Sequence, residues 1–224
     1  VAGGREALQG ELPYAIGLKL KRQPYIYCGG AFITERHIIT AAHCFDADSR
    51  HPGDYTEPHT LEVVAGRVNL DDEDHGDIYE LASIIKHEQY DERTLFNDVA
   101  IVELARNVTF SSDLNKLYLY SGTDLPLQTV LTVNGWGYIN KLENTLPRVM
   151  RTVTVPVVPG SSCTRHGAFD PQIMICAGAG TGQDSCAGDS GGSVITSYKY
   201  STDGGTTFRT RATGTTGSPI VIST

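Results

Sequence analysis

The sequence predicts an all-β protein, and three observations carry that prediction. Apolar residues recur with period two or in short runs, turn-forming residues separate these runs, and no stretch shows the apolar stripe of a three-turn amphipathic helix. In chain order, strands are expected over residues 14–20, just after Pro13, and over 31–41, after two glycines. Residues 61–65 form a short apolar run that ends at Gly66. Further strands are expected over 81–86 and over 99–104, the latter following Asn97 and Asp98. The last two cover 129–133, ahead of Asn134 and Gly135, and 150–158, stopped by Pro159 and Gly160. Residues 161–166 are the place where a short helix is expected to start. No repeat of fixed period is present. Many short strands between turns indicate a barrel or a sandwich.

The bulk properties narrow the function classes. At 224 residues and 40% hydrophobic content, the chain suits one large domain or two small ones with real cores. No apolar run approaches the ~18 residues of a membrane span. The formal net charge of -8 argues against nucleic acid as a partner, since phosphate binding needs a basic surface, and it fits a role in solubility. The sequence starts at Val1 with neither a methionine nor a signal-like segment, which reads as a processed chain. Five cysteines stand far apart with no Cys-x-x-Cys pair, so two disulfides with one cysteine left over are expected and a zinc site is not. Disulfides persist in oxidising compartments, and with the sequon at Asn107, Val108 and Thr109 they point to secretion.

Residues 188–192 read Gly-Asp-Ser-Gly-Gly and offer one nucleophile, Ser190, in a turn whose glycines leave its hydroxyl and nearby amides approachable. A serine hydroxyl is a poor nucleophile near neutral pH and needs a base, which in turn needs an orienting acid. Both precede it: His43 within Thr-Ala-Ala-His-Cys (40–44), and Asp98 within Asn-Asp-Val-Ala-Ile-Val (97–102). Each motif alone would be an ordinary core histidine or a tight turn. The order His, Asp, Ser separates one arrangement of this chemistry from two others that use the same residue types.

On these motifs the chain resembles the chymotrypsin/trypsin-type serine proteases, in a trypsin-like form with the reduced disulfide set of invertebrate members. The resemblance implies two antiparallel β-barrels packed face to face, residues 1–115 carrying His43 and Asp98 and residues 116–224 carrying Ser190, with the active site in the cleft between them. It implies that Ser190 attacks a peptide carbonyl, that His43 moves the proton, and that Asp98 fixes the imidazole tautomer. The backbone amides of Gly188 and Ser190 would form the oxyanion hole. Asp184, six residues before Ser190, would floor a pocket for Arg or Lys. The amine of Val1, in the Val-Ala-Gly-Gly start, would pair with Asp189 as in an activated enzyme. Disulfides are implied between Cys28 and Cys44 and between Cys163 and Cys176, leaving Cys186 alone. Gly135, Trp136 and Gly137 match a second-barrel motif and read as a tight turn beside a packed tryptophan.

Two loops invite other chemistry. Residues 45–60 should rim the cleft as a solvated insertion, since His51 and His59 lack a ligand spacing. Residues 71–77 are acidic enough for calcium, but the matching segment begins with Arg67 where a calcium-binding trypsin carries a glutamate. A fixed cation there repels the ion, so no metal or other cofactor is expected. The expected partners are protein or peptide substrates and protein protease inhibitors, with no nucleic acid and no membrane, for a monomer secreted from the cell.

After about residue 195 the resemblance fades. The family's second pocket cysteine, its Ser-Trp-Gly segment and its closing helix have no counterpart in residues 196–224, which are rich in Thr, Ser and Gly. Divergence, an altered reading frame and truncation all produce such a tail, and composition does not separate them. Two rival functions stay open on this ground: a non-catalytic homologue acting as a binding or cofactor protein, and a protease whose remodelled pocket accepts apolar side chains.

Overall fold

The structure is a computed structural model. It describes residues 1–47, 55–119, 125–139, 146–163, 170, 174–178, 182, 185 and 188–192, and the backbone alone of 194, 195, 199, 200, 209 and 210. Asp184, Cys186 and most of the tail lie outside the described residues.

Among the described residues, twelve short strands run in chain order: β1 (Arg5–Glu6), β2 (Ala15–Leu20), β3 (Cys28–Phe32), β4 (His37–Thr40), β5 (Leu61–Ala65), β6 (Asp77–Lys86), β7 (Ala100–Leu104), β8 (Val130–Gly135), β9 (Arg151–Pro156), β10 (Val194–Ile195), β11 (Lys199–Tyr200) and β12 (Arg209–Thr210). The helical pieces among the described residues are single 3-10 turns at Ala42–Phe45, Pro58–Thr60 and Gly160–Ser162. The all-β expectation holds.

Strands β2, β3, β4, β7, β6 and β5, in that order around the ring, close a barrel. Its interior is filled by Leu18, Phe32, Ile38, Leu61, Val63, Val102 and Leu104, all fully buried. Alternate residues of the same strands, Ala31, Ile39 and Val64, point the other way yet are also buried, against Tyr14, Ile26, Trp136 and Met150. A strand with both faces covered loses its period-two signature and reads as a continuous apolar run, as residues 63–65 do. Strand β6 shows the opposite case. It begins four residues before the sequence predicts, because Asp77 and Glu80 interrupt the apolar pattern there although Tyr79 is buried, and its register with β7 shifts between Leu81 and Ser83.

The expected strand over 31–41 is two strands. Phe32 and His37 bound a turn in which the Thr34 hydroxyl accepts the backbone amides of Arg36 at 3.1 Å and His37 at 2.9 Å. A threonine side chain thus does the work usually signalled by Gly or Pro. The helix expected from 161 is a single turn, Gly160–Ser162, and residues 164–166 lie outside the described residues.

A second sheet has the order β1, β9, β8, β10. Its apolar face, from Leu131, Val133, Val153 and Val155, packs with Val1 and Val157. Strand β1 belongs by sequence to the first half but pairs with β9, Arg5 opposite Thr152. The halves are also tied where Met150 N donates to Val68 O at 2.9 Å and Trp136 Nε1 donates to the same oxygen at 3.0 Å.

Disulfides join Cys28 to Cys44 and Cys163 to Cys176, as the resemblance implies. The first closes a loop with a sequence separation of 16 and staples β3 to the turn that follows β4. Replacing both Cys28 and Cys44 by serine is expected to lower stability by about 3 kcal/mol, read as a reduced midpoint in guanidinium denaturation.

Candidate active site

His43 lies on the 3-10 turn Ala42–Phe45, directly after β4. Ala42, Cys44 and Phe45 are buried in the barrel core, which fixes the turn and leaves the imidazole as its one partly exposed side chain, 29% accessible. Asp98 ends the segment between β6 and β7. Asn97 before it has φ 56°, a left-handed conformation that asparagine tolerates, and its side-chain amide donates to Gln89 O at 2.9 Å. Val99 N then donates to Asn97 O at 2.7 Å, so the chain turns sharply and points the aspartate inward.

The Asp98 side chain has no solvent exposure. Its Oδ1 accepts the backbone amide of His43 at 2.8 Å and its Oδ2 lies 2.6 Å from His43 Nδ1. A carboxylate can only accept, so Nδ1 carries the hydrogen and the neutral ring keeps its lone pair on Nε2. The two contacts together fix both the position and the tautomer of the imidazole.

Ser190 is delivered to the same place by backbone docking. Its carbonyl oxygen accepts Gly29 N at 2.7 Å and lies 3.9 Å from Cys44 Sγ. The latter is a packing contact, since a disulfide sulfur has no hydrogen to donate. A nitrogen of the His43 ring lies within 4.8 Å of the sulfurs of Cys28 and Cys44. Those sulfurs are bonded to each other, so this cluster is a disulfide beside an imidazole and holds no metal. The approach of the Ser190 turn depends on glycine. A Cβ on Gly191, whose φ is 76°, would stand 2.3 Å from Thr40 Oγ1, and one on Gly29 would stand 2.9 Å from Gly192 Cα.

The residue before the serine carries a second buried carboxylate. Asp189 Oδ2 lies 2.6 Å from the α-amino nitrogen of Val1, and neither side chain has any exposure. The amine also donates to Gly137 O at 3.3 Å and Tyr138 O at 3.1 Å, while Asp189 Oδ1 accepts Gly137 N at 2.8 Å. Gly192 N donates to Asp189 O at 3.0 Å and closes the turn. Gly188 has φ 92°, and a Cβ there would meet Gly137 Cα at 2.9 Å.

The sequence reading of Gly135, Trp136 and Gly137 as only a tight turn is corrected here. A Cβ on Gly135 would stand 2.3 Å from Asp189 Oδ1, and Gly137 supplies the amide that this carboxylate accepts. The motif is the socket for Asp189. Two glycines flanking a buried tryptophan were the signal of a close backbone approach, but the group that approaches is some fifty residues away in sequence. Asp184 and Cys186, predicted for the pocket and as the odd thiol, lie outside the described residues.

Three acids of the 71–77 loop, Asp71, Asp72 and Asp77, pair with side chains of the protein itself. Asp71 accepts Arg148 Nη2 at 2.6 Å and Asp72 lies 2.8 Å from His75 Nδ1. Burial pushes the Asp77 carboxyl up, but hydrogen bonds from Arg106 and the Ile78 amide, with the charge of Arg67, outweigh it and hold the group below the usual carboxylate range.

The chain matches the family model for Trypsin over residues 1–223. It belongs to the trypsin family. It is 34% identical over 208 residues to Trypsin-1 of Astacus astacus, across 90% of this chain and 85% of that one. It is 32% identical over 199 residues to Trypsin delta of Drosophila erecta, across 87% of this chain and 73% of that one. The protein is a trypsin-like serine endopeptidase acting on protein substrates, and the closed barrel and second sheet are its version of the two-barrel trypsin fold. Its two disulfides fit an extracellular trypsin.

In this trypsin-family chain, Asp189→Asn removes the charge that matches the buried Val1 amine while leaving an acceptor for Gly137 N. The expected result is a loss of about 3 to 5 kcal/mol in folding stability, measured by denaturant titration.

Proposed function

We propose that the protein cleaves peptide bonds on the carboxyl side of Arg or Lys through a covalent acyl-enzyme, with Ser190, His43 and Asp98 as the catalytic residues. The observation that carries this reading is the double engagement of His43 by the fully buried Asp98, at 2.8 Å and 2.6 Å, beside the Ser190 turn. His43 Nε2 takes the proton of the Ser190 hydroxyl as Oγ bonds to the substrate carbonyl carbon. The resulting oxyanion is held by the backbone amides of Gly188 and Ser190, each such donor being worth about 3 kcal/mol. His43 then gives the proton to the leaving nitrogen as the C–N bond breaks, and water repeats the sequence on the acyl-enzyme. Asp98 stays ionised throughout and stabilises the imidazolium.

The ion pair of Val1 with Asp189 bears on the same step. Asp189 lies between the two residues whose amides bind the oxyanion, so a charge-matched anchor there holds their orientation. This requires a free amine at Val1, and extension of the chain by one residue at that end should disorder the amide pair. We assign Asp184 to the pocket floor on the resemblance alone, and propose a secreted monomer that needs no metal or organic cofactor and is open to protein protease inhibitors.

Ser190→Ala is expected to lower kcat roughly 10⁶-fold while leaving the thermal melt unchanged. A fluorophosphonate should add once to the parent protein, at Ser190, and not to the variant. Retained turnover in Ser190→Ala overturns the assignment. Paired peptide substrates differing only in Arg or Phe at the cleaved residue test the pocket: the parent should prefer Arg, and Asp184→Ser should erase the preference. Equal rates in the parent would instead favour an apolar-accepting pocket.

A further inference from the structure

Outside the proposed catalytic residues, three polar side chains converge on the far end of the His43 turn. Asp46 closes that turn, its amide donating to His43 O at 3.1 Å. Its Oδ1 accepts Lys86 Nζ at 2.6 Å and its Oδ2 accepts the Tyr90 hydroxyl at 2.6 Å. Lys86 Nζ also lies 5.4 Å from the centroid of the Tyr90 ring, so the three groups touch pairwise. The cluster is half sheltered, with side-chain exposures of 33% for Lys86 and 19% for Asp46, where an ion pair is screened less than at an open surface.

The origin of the two anchors gives the cluster its meaning. Lys86 is the last residue of β6 and pairs with Ala100 in β7. Tyr90 follows in a bend whose amide donates to His87 O at 3.0 Å, and His87 N donates to Val99 O at 2.9 Å. Both anchors therefore belong to the frame that holds Asp98. Asp46 belongs to the turn that holds His43. Burial and the Asp46 carboxylate push the Tyr90 phenol up, so it remains a hydrogen-bond donor across the working pH range.

We propose that Asp46, Lys86 and Tyr90 form a second tie between the His43 turn and the Asp98 segment, and that they are positioning residues for the imidazole. Asp98 grips the His43 ring and amide from one side, and the buried Ala42, Cys44 and Phe45 seat the turn beneath it. The second tie prevents the turn from pivoting about that grip, and its paired charges leave little net field at the ring. Asp98 contacts the imidazole itself, and the charged groups that act on Tyr90 are Asp46 from the His43 turn and Asp98 and Glu92 from the 87–98 segment, with Lys86 of β6 paired to Asp46. The β3 strand contributes the disulfide sulfur of Cys28. The proposal rests on His43 acting as the base where activity is the readout.

The test uses Asp46→Asn, Lys86→Met, Lys86→Arg and Tyr90→Phe in the full chain. The His43 ring is titrated by NMR, with His43→Ala to identify its resonance, and kcat and KM are measured on a peptide substrate. Removing the carboxylate leaves Lys86 unbalanced and disfavours the imidazolium, so Asp46→Asn should move the midpoint of the His43 titration and the acidic limb of kcat/KM to lower pH. Removing the cation does the reverse, so Lys86→Met should move both to higher pH, each by a few tenths of a unit. Lys86→Arg should behave as the parent. Tyr90→Phe should lower kcat about tenfold with KM little changed.

Opposed shifts with rescue by arginine support the tie, because loss of folding alone would move both charge variants the same way. Shifts in one direction, or none in variants that melt like the parent, overturn it. If the NMR shifts are opposed but the parent shows no turnover, the tie stands and the catalytic reading fails.

Discussion

The molecule depends on backbone meeting backbone where the Ser190 turn docks onto the first barrel. No side chain can stand between Gly29, Gly191 and Gly192, and the residual gap is closed by the bond from Gly29 N to Ser190 O at 2.7 Å. Everything else that concerns the site is arranged around that contact. The Cys28 to Cys44 disulfide fixes the strand end against which the turn rests, and Thr40 Oγ1 donates to Gly29 O at 2.7 Å from the other side. A methyl group at any of these glycines would meet backbone or the Thr40 side chain within 3 Å and push the Ser190 turn off the barrel.

Two carboxylates without solvent exposure, Asp98 and Asp189, impose the electrostatic order of the site. A buried negative charge is tolerated only with donors and a cation or a proton-bearing ring around it. Asp98 meets that demand with one backbone amide and one imidazole, and Asp189 with one backbone amide and one ammonium. The parallel has a physical meaning. In each case the carboxylate holds a piece of chain from the opposite end of the local structure, and so converts a loop into a fixed support.

The fold class was legible because it rests on local signals, and the motifs that suggest a site are local as well. Alternation and turn residues placed seven strands, with errors where a signal came from an unusual source: the Thr34 hydroxyl split 31–41 into β3 and β4, and the exposed acids Asp77 and Glu80 hid the start of β6. The motifs around His43, Asp98 and Ser190 suggest chemistry because few other residue types can perform the proposed steps. The socket made by Gly135 and Gly137 was not, since its occupant is Asp189. Nor was the convergence of Asp46 with Lys86 and Tyr90, whose sequence separations are 40 and 44 and whose residue types are ordinary surface ones. Contacts of this kind are set by topology, and a linear pattern does not carry them.

The pairing of β1 with β9 has a consequence for how the chain is made. Arg5 and Glu6 are made well before their strand partners, Thr152 and Arg151. They therefore wait without those partners while β2 to β8 are made. Closure of that pair spans a long stretch of chain and is a late event.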